Sequence, residues 1–227
     1  MSTPPTPSSA STIVWADPAR EKAFIAWLHQ QAPLHGLQVD SVRPASADAS
    51  FRRYFRVSAD TGSRIIMDAP PDKENCVPFV QVAELMQAAG LLVPRVLAWD
   101  RDQGFMLLDD LGQQTMMDVI DPAHPSANLP LYKRATEALL SWQQASRLQV
   151  LPAYDEALLQ RELSLFPDWY LAQHRQVTLR DAQRDMLTRT FALIVQRNLA
   201  GPKVYVHRDF MPRNLMMPHD AQEPRLG

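Results

Sequence analysis

Phe51-Arg52-Arg53-Tyr54-Phe55-Arg56-Val57-Ser58 decides how the first half of the chain is read. Phe51, Arg53, Phe55 and Val57 alternate with Arg52, Tyr54 and Arg56, which predicts a β-strand with one apolar and one basic face. Working outward, Leu37 to Arg43 and Arg64 to Asp68 are further β-favouring pieces bounded by Pro, Gly, Asp or Ser, so an antiparallel sheet is expected to begin here. Upstream, Asp17-Pro18 pairs a helix-capping residue with the residue best suited to the first helical position, and Phe24, Trp27, Leu28 and Gln31 share one face of the helix that follows. Downstream, Pro78 to Ala89 returns to helical spacing, with Phe79, Val82, Leu85 and Met86 on one stripe and Gly90 placed to end it. Arg95 to Trp99 and Phe105 to Leu108 complete the order strand, strand, strand, helix, strand, strand, ahead of the acidic stretch Asp109-Asp110-Leu111-Gly112.

Beyond that stretch the chain reads as mostly helical. Leu131, Ala135, Ala138, Leu139 and Trp142 mark one helix, and Leu158, Leu159, Leu163 and Phe166 a second. Thr178 with Asp181 resembles a capping box ahead of a third, which runs through Met186, Leu187, Phe191 and Ile194 and stops near Gly201-Pro202.

Composition removes several classes of function. The 227 residues carry 46% hydrophobic and 21% charged residues, which is material for one globular domain or two small lobes. Its seven glycines never stand closer than eight positions, so neither a P-loop nor a dinucleotide glycine fingerprint can be written. Cys76 is the single cysteine and no His-Glu-x-x-His pair exists, which excludes an intrachain disulfide and leaves a protein-held zinc without support. A formal charge of −2 argues against a nucleic-acid partner, and no apolar run approaches bilayer-spanning length, so no membrane partner is expected. Residues 1–12 are rich in Pro, Ser and Thr without a basic start or apolar core and read as a disordered tail; a cytoplasmic location is expected.

The chemistry sits near the end. Lys203-Val204-Tyr205-Val206 reads as a short strand, followed at once by His207-Arg208-Asp209-Phe210-Met211-Pro212-Arg213-Asn214-Leu215, where Pro212 argues for a loop. His-Arg-Asp with an Asn five positions after the Asp is the catalytic-loop pattern of kinases. There the Asp accepts the proton of the attacking hydroxyl, and the Asn oxygen holds a magnesium ion that neutralises the transferring phosphoryl group. Taken alone the pattern is also what turn-forming Asp and Asn produce in ordinary loops.

The loop resembles that of the aminoglycoside and choline kinase-like phosphotransferases. Ala49-Ser50-Phe51-Arg52-Arg53-Tyr54-Phe55-Arg56, Met67-Asp68-Ala69-Pro70-Pro71 and Leu107-Leu108-Asp109-Asp110-Leu111-Gly112, in that order, resemble more narrowly the bacterial anomeric kinases for N-acetylmuramic acid and N-acetylglucosamine. The resemblance covers about residue 15 onward. It implies an α+β, protein-kinase-like fold in two lobes: a small antiparallel β lobe with one key helix over 13–108 that binds nucleotide, then a hinge and part of a larger helical lobe over 109–227. It further implies ATP and Mg2+ as cofactors, an amino sugar as the partner, and transfer to the sugar C1 hydroxyl in peptidoglycan recycling.

Residue by residue, the resemblance implies Asp209 as base and Asn214 as magnesium ligand. Ser50, Phe51, Arg52 and Arg53 would lie over the nucleotide phosphates, or form an exposed basic strand face. Glu84 matches the helix carboxylate that pairs with a strand lysine, or is a solvated helix charge. Asp109 to Leu111 would be the hinge whose backbone groups meet adenine, or a plain turn. The chain departs from the pattern in three places. Arg64 to Asp68 holds no lysine, leaving Lys73 or a nearby arginine to grip phosphate; position 211 is Met where many relatives have His; and the second magnesium-binding Asp, expected on a hairpin beyond the Asn, is not reached. A truncated helical lobe is therefore expected, with weak or absent catalysis and apolar faces around Trp169, Phe191 and Ile194 left uncovered. The rival functions are transfer to an aminoglycoside, choline or another alcohol, and a catalytically dead nucleotide-binding module.

Overall fold

Asp17 accepts a 2.8 Å hydrogen bond from the backbone N–H of Ala19 and opens α1 (Pro18–His35), as the cap and proline require. The structure is a computed structural model and describes residues 13–47, 51–218, 223 and 225–227; Ser50 and the expected tail lie outside them. Contacts divide the chain into two compact units, Met1–Ser141 with Phe210–Gly227, and Trp142–Asp209.

The first unit is α+β. Strands β1 (Arg43–Ala47), β2 (Arg53–Ser58), β3 (Ser63–Asp68), β4 (Val96–Asp100) and β5 (Phe105–Asp109) form one antiparallel sheet in the order β1-β2-β3-β5-β4. Helix α2 (Val77–Ala88) lies in the chain between β3 and β4, and Gly90 follows its end at φ +78. The register pairs Phe55 with Ile66 and Ile66 with Leu107 on one face, where Phe24, Trp27 and Leu28 of α1 pack. It pairs Tyr54 with Met67 and Met67 with Met106 on the other, where Phe79 and Val80 of α2 pack. With both faces covered, the apolar alternation of a one-sided sheet is replaced by burial on both sides. Short helix α3 (Met116–Val119) and most of α4 (Leu129–Gln144) belong to this unit, with Met116, Ala135, Leu215 and Leu226 forming a second core.

Three expectations are corrected. Leu37 to Arg43 is not a strand: Ser41 Oγ donates to Gln38 O at 2.6 Å, closing a 3-10 turn at Val39–Ser41, and β1 starts only at Arg43. Phe51 precedes β2 and is 64% exposed, while Arg56, read as part of a basic outer face, is buried at 8% exposure because a carboxylate meets it inside. Lys203 to Val206 pairs with no strand among the described residues; the Tyr205 N–H donates to Ser146 Oγ at 2.7 Å instead.

The second unit is helical, holding α5 (Glu156–Leu165), its continuation as a π-helix over Phe166–His174, and α6 (Asp181–Leu199). The capping box falls two residues later than read: Arg180 N–H donates to Gln183 Oε1 at 3.0 Å, and α6 starts at Asp181. Trp142 and Tyr205 pack with tilted rings, 4.6 Å between centroids, in its small core. Trp169 is 66% and Ile194 38% exposed.

Candidate functional site

In the helical unit, Asp209 is exposed at the end of a segment whose preceding residues are fixed one by one. Tyr205 is buried against Trp142. His207 is half-buried, which pushes its imidazole below the usual range against the opposing pull of the Asp209 charge. Arg208 adopts φ +73, a left-handed conformation uncommon for a residue with a side chain. Its guanidinium is held by Glu162 at 3.2 Å and lies 5.6 Å from the Tyr154 ring. Backbone strain of this kind persists only where the surroundings over-determine it, and here it immediately precedes the exposed carboxylate.

Asn214 belongs to the other unit. It closes a single 3-10 turn, Pro212–Asn214, where Pro212 takes the first helical position instead of preventing any helix. Leu215 then anchors the turn: its carbonyl accepts from Met116 N–H at 2.7 Å and its side chain joins the Met116 core. Asn214 is exposed, and a carboxamide oxygen is a hard donor of the kind that magnesium takes beside water and phosphate oxygens. Among the described residues no group of three His, Cys, Asp or Glu converges as a metal cage.

On the sheet, the candidate nucleotide residues separate by face. Phe51 N–H and Arg52 Nε both donate to Glu74, each at 3.2 Å, so Glu74 ties the start of β2 to the segment before α2. Arg52 also lies 5.8 Å from the Phe79 ring on the α2 face. Arg53 turns to the α1 face, stacks 4.0 Å over Trp15 and bonds Asp68. The side chain of Asp68 is fully buried and also receives Arg20 of α1 at 2.5 and 3.0 Å. Glu84 is exposed on α2 and lines an open 390 Å³ cleft with Gln87, Pro94 and Arg95.

At the end of β5, Asp109 is held by Arg95 at 2.6 and 3.2 Å. Asp110 is held by Arg56 at 2.5 and 3.0 Å and by Ser63 Oγ at 2.6 Å. Burial pushes the Asp110 carboxyl up, but its hydrogen bonds from Arg56, Ser63 and the Gly112 N–H outweigh that and bring it down to about 2. A carboxyl depressed in the folded state stabilises fully above its unfolded value and loses that contribution as pH falls through its folded value. Urea unfolding of the wild type is therefore expected to lose about 2 kcal/mol more than Asp110→Asn between pH 5 and pH 2; parallel pH profiles would remove this role.

Glu74, Arg20, Asp68, Arg56 and Ser63 were not singled out as site residues from sequence, and Asp110 only as part of the hinge run. The one local signal was Asp68 itself, a charge closing the apolar run Ile65-Ile66-Met67, which can be buried only with partners.

Residues 41–226 match APH, the phosphotransferase enzyme family. A Pseudomonas aeruginosa protein named N-acetylmuramate/N-acetylglucosamine kinase is 48% identical over 213 residues, covering 94% of this chain and 60% of its own. One of the same name from Neisseria meningitidis is 42% identical over 175 residues, covering 76% and 52%. The chain thus spans a little over half the length of these curated relatives. A solved structure from Ralstonia eutropha, provisionally described as an aminoglycoside phosphotransferase, is similar with a TM-score of 0.59 at 15% identity, over 91% of this chain and 62% of that one. That likeness is one of fold. Among the described residues no helix is long and apolar enough to cross a membrane.

Proposed function

Since the chain belongs to the APH phosphotransferase enzyme family, we propose that it serves an ATP-dependent kinase that phosphorylates the anomeric hydroxyl of N-acetylmuramic acid and N-acetylglucosamine in the cytoplasm. The observation that carries this reading is the exposed Asp209 carboxylate, set behind the strained Arg208, in a chain 48% identical to a protein named for those two sugars. Residues 13–108 supply the nucleotide lobe and 109–227 the hinge and catalytic segment.

In this reading Asp209 takes the proton of the sugar C1 hydroxyl as its oxygen bonds to the γ-phosphorus, the bond from that phosphorus to the ADP oxygen breaks, and the proton passes on to water. A hemiacetal hydroxyl is more acidic than an ordinary alcohol, so a carboxylate base is adequate. Asn214 contributes an oxygen to Mg2+, which neutralises charge on the phosphates when bound. Phe51 and Arg52 would lie over the phosphates. Arg52, which donates to Glu74 on the α2 face, would exchange that contact for phosphate to take the part of the missing strand lysine, since Arg56 pairs with Asp110 and the α2-facing residues of β3 are Ile65 and Met67. Asp109 and Leu111 belong to the hinge. Glu84 orients the phosphate end only if α2 turns it toward nucleotide.

Incubation of a full-length version with ATP, Mg2+ and a panel of acceptors tests the proposal, read by phosphorus NMR and ADP release. N-acetylglucosamine and N-acetylmuramate are expected to give 1-phosphates, whereas the methyl glycoside of N-acetylglucosamine, which has no free anomeric hydroxyl, gives none. Transfer to the methyl glycoside, or only to an aminoglycoside or choline, overturns it.

A further inference from the structure

The hinge is gripped on both sides of one residue. Arg56 reaches from β2 to Asp110 through two nitrogens, at 2.5 and 3.0 Å, and its Nη2 continues to the Gly112 carbonyl at 2.7 Å. Ser63 Oγ donates to Asp110 at 2.6 Å, and Gly112 N–H donates to the same carboxylate at 2.9 Å. Gly112 stands at φ +113, a conformation that favours glycine and brings both its N–H and its carbonyl to the pair. Between the two clamped residues, the N–H and carbonyl of Leu111 make no hydrogen bond to any described residue.

Apolar packing could often replace a buried ion pair at no cost in stability, whereas it could not reproduce the geometry that the pair fixes. The Arg56 and Asp110 side chains are only 10% and 3% exposed, on a sheet face otherwise filled by Tyr54, Met67 and Leu108. A donor and an acceptor held at constant spacing on a rigid backbone match the edge of a nucleobase, and holding them in advance removes the ordering cost of binding.

We propose that Arg56 and Asp110 are positioning residues for the nucleotide: their pair, with Ser63 and Gly112, holds Leu111 so that its N–H and carbonyl meet the base edge. This rests on the nucleotide-binding reading above. It differs from that reading in assigning affinity to a clamp that touches no ligand.

The test uses Arg56→Met, Asp110→Asn, Arg56→Lys and Ser63→Ala, with ATP and Mg2+ as the probe. Thermal shift gives the apparent ATP Kd, and steady-state assays split the KM for ATP from kcat and from the KM for sugar. Arg56→Met and Asp110→Asn are expected to weaken ATP about tenfold, equivalent to about 1.4 kcal/mol, with the sugar KM within about twofold. Arg56→Lys keeps one charge contact but not the fork to Gly112, so it falls between them and the wild type. Equal loss for ATP and sugar, or unchanged ATP affinity in variants that melt cooperatively, overturns the clamp. Should Arg56→Met fail to fold, Ser63→Ala removes a single hydrogen bond and is expected to weaken ATP about threefold; no change there overturns it as well. A wild type that shows no ATP-dependent shift removes the nucleotide reading itself, a result distinguishable from a wild type that binds and variants that bind equally.

Discussion

Asp209→Asn is expected to lower kcat for transfer to the amino sugar by about 10²–10⁴-fold, the range typical of a lost general base. The carboxamide has nearly the same shape but cannot accept the proton, so the sugar hydroxyl must attack while still protonated. Asp209 is exposed, so the variant is expected to keep a cooperative melt. The ATP-induced thermal shift should persist, since the hinge and β2 residues lie elsewhere in the sequence. The measurement is kcat and KM beside the melting curve of the same preparation. Turnover within threefold of wild type would show that another group takes the proton, and loss of turnover together with collapse of the melt would make the residue structural. Neither outcome is expected from an exposed side chain that follows the strained Arg208.

What could be read in advance depended on how local each signal was. Asp209 and Asn214 stand five positions apart, and their motif is visible without knowing any tertiary contact. Helix α1 was legible because Asp17-Pro18 acts within one turn, and β2, β3 and β5 because their apolar runs are short and bounded. Lys203 to Val206 has β-favouring composition, yet a strand needs a neighbour, and none of the described strands pairs with it. Leu37 to Arg43 carries Val39 and Val42, but Asp40 and Ser41 bring turn chemistry that closed a 3-10 turn instead. The clamp was beyond reach for the same physical reason. Arg56 and Asp110 are 54 positions apart, and only the antiparallel order β2-β3-β5 brings a basic strand position to the acidic end of another strand. The alternation of Arg52, Tyr54 and Arg56 was correctly seen as one face; that this face is covered by α2, and not by water, follows from packing that no spacing encodes.

The same logic makes Asp68 the position of greatest consequence for stability. Its carboxylate lies at full burial between Arg20 of α1 and Arg53 of β2, and each of those cations also stacks on an aromatic ring, Arg20 at 4.0 Å over Phe105 and Arg53 at 4.0 Å over Trp15. Asp68→Ala leaves two guanidiniums at an apolar face with no counter-charge, and removal of one partner from a buried pair costs about 3–5 kcal/mol. That is a large share of the roughly 5–15 kcal/mol by which whole domains are stable. Since Arg20 ties α1 to the sheet through Asp68, the loss should appear first as exposure of Trp27, which α1 packs against the sheet, and a fluorescence shift should precede the main urea transition. Arg20→Met is the gentler control: Arg53 still neutralises Asp68, and about 1.5–3 kcal/mol for a hydrogen bond to a charged group is the expected cost. Asp68→Ala costing less than 1 kcal/mol would mean that the two arginines reach solvent without strain, and that α1 is held by Phe24, Trp27 and Leu28 alone.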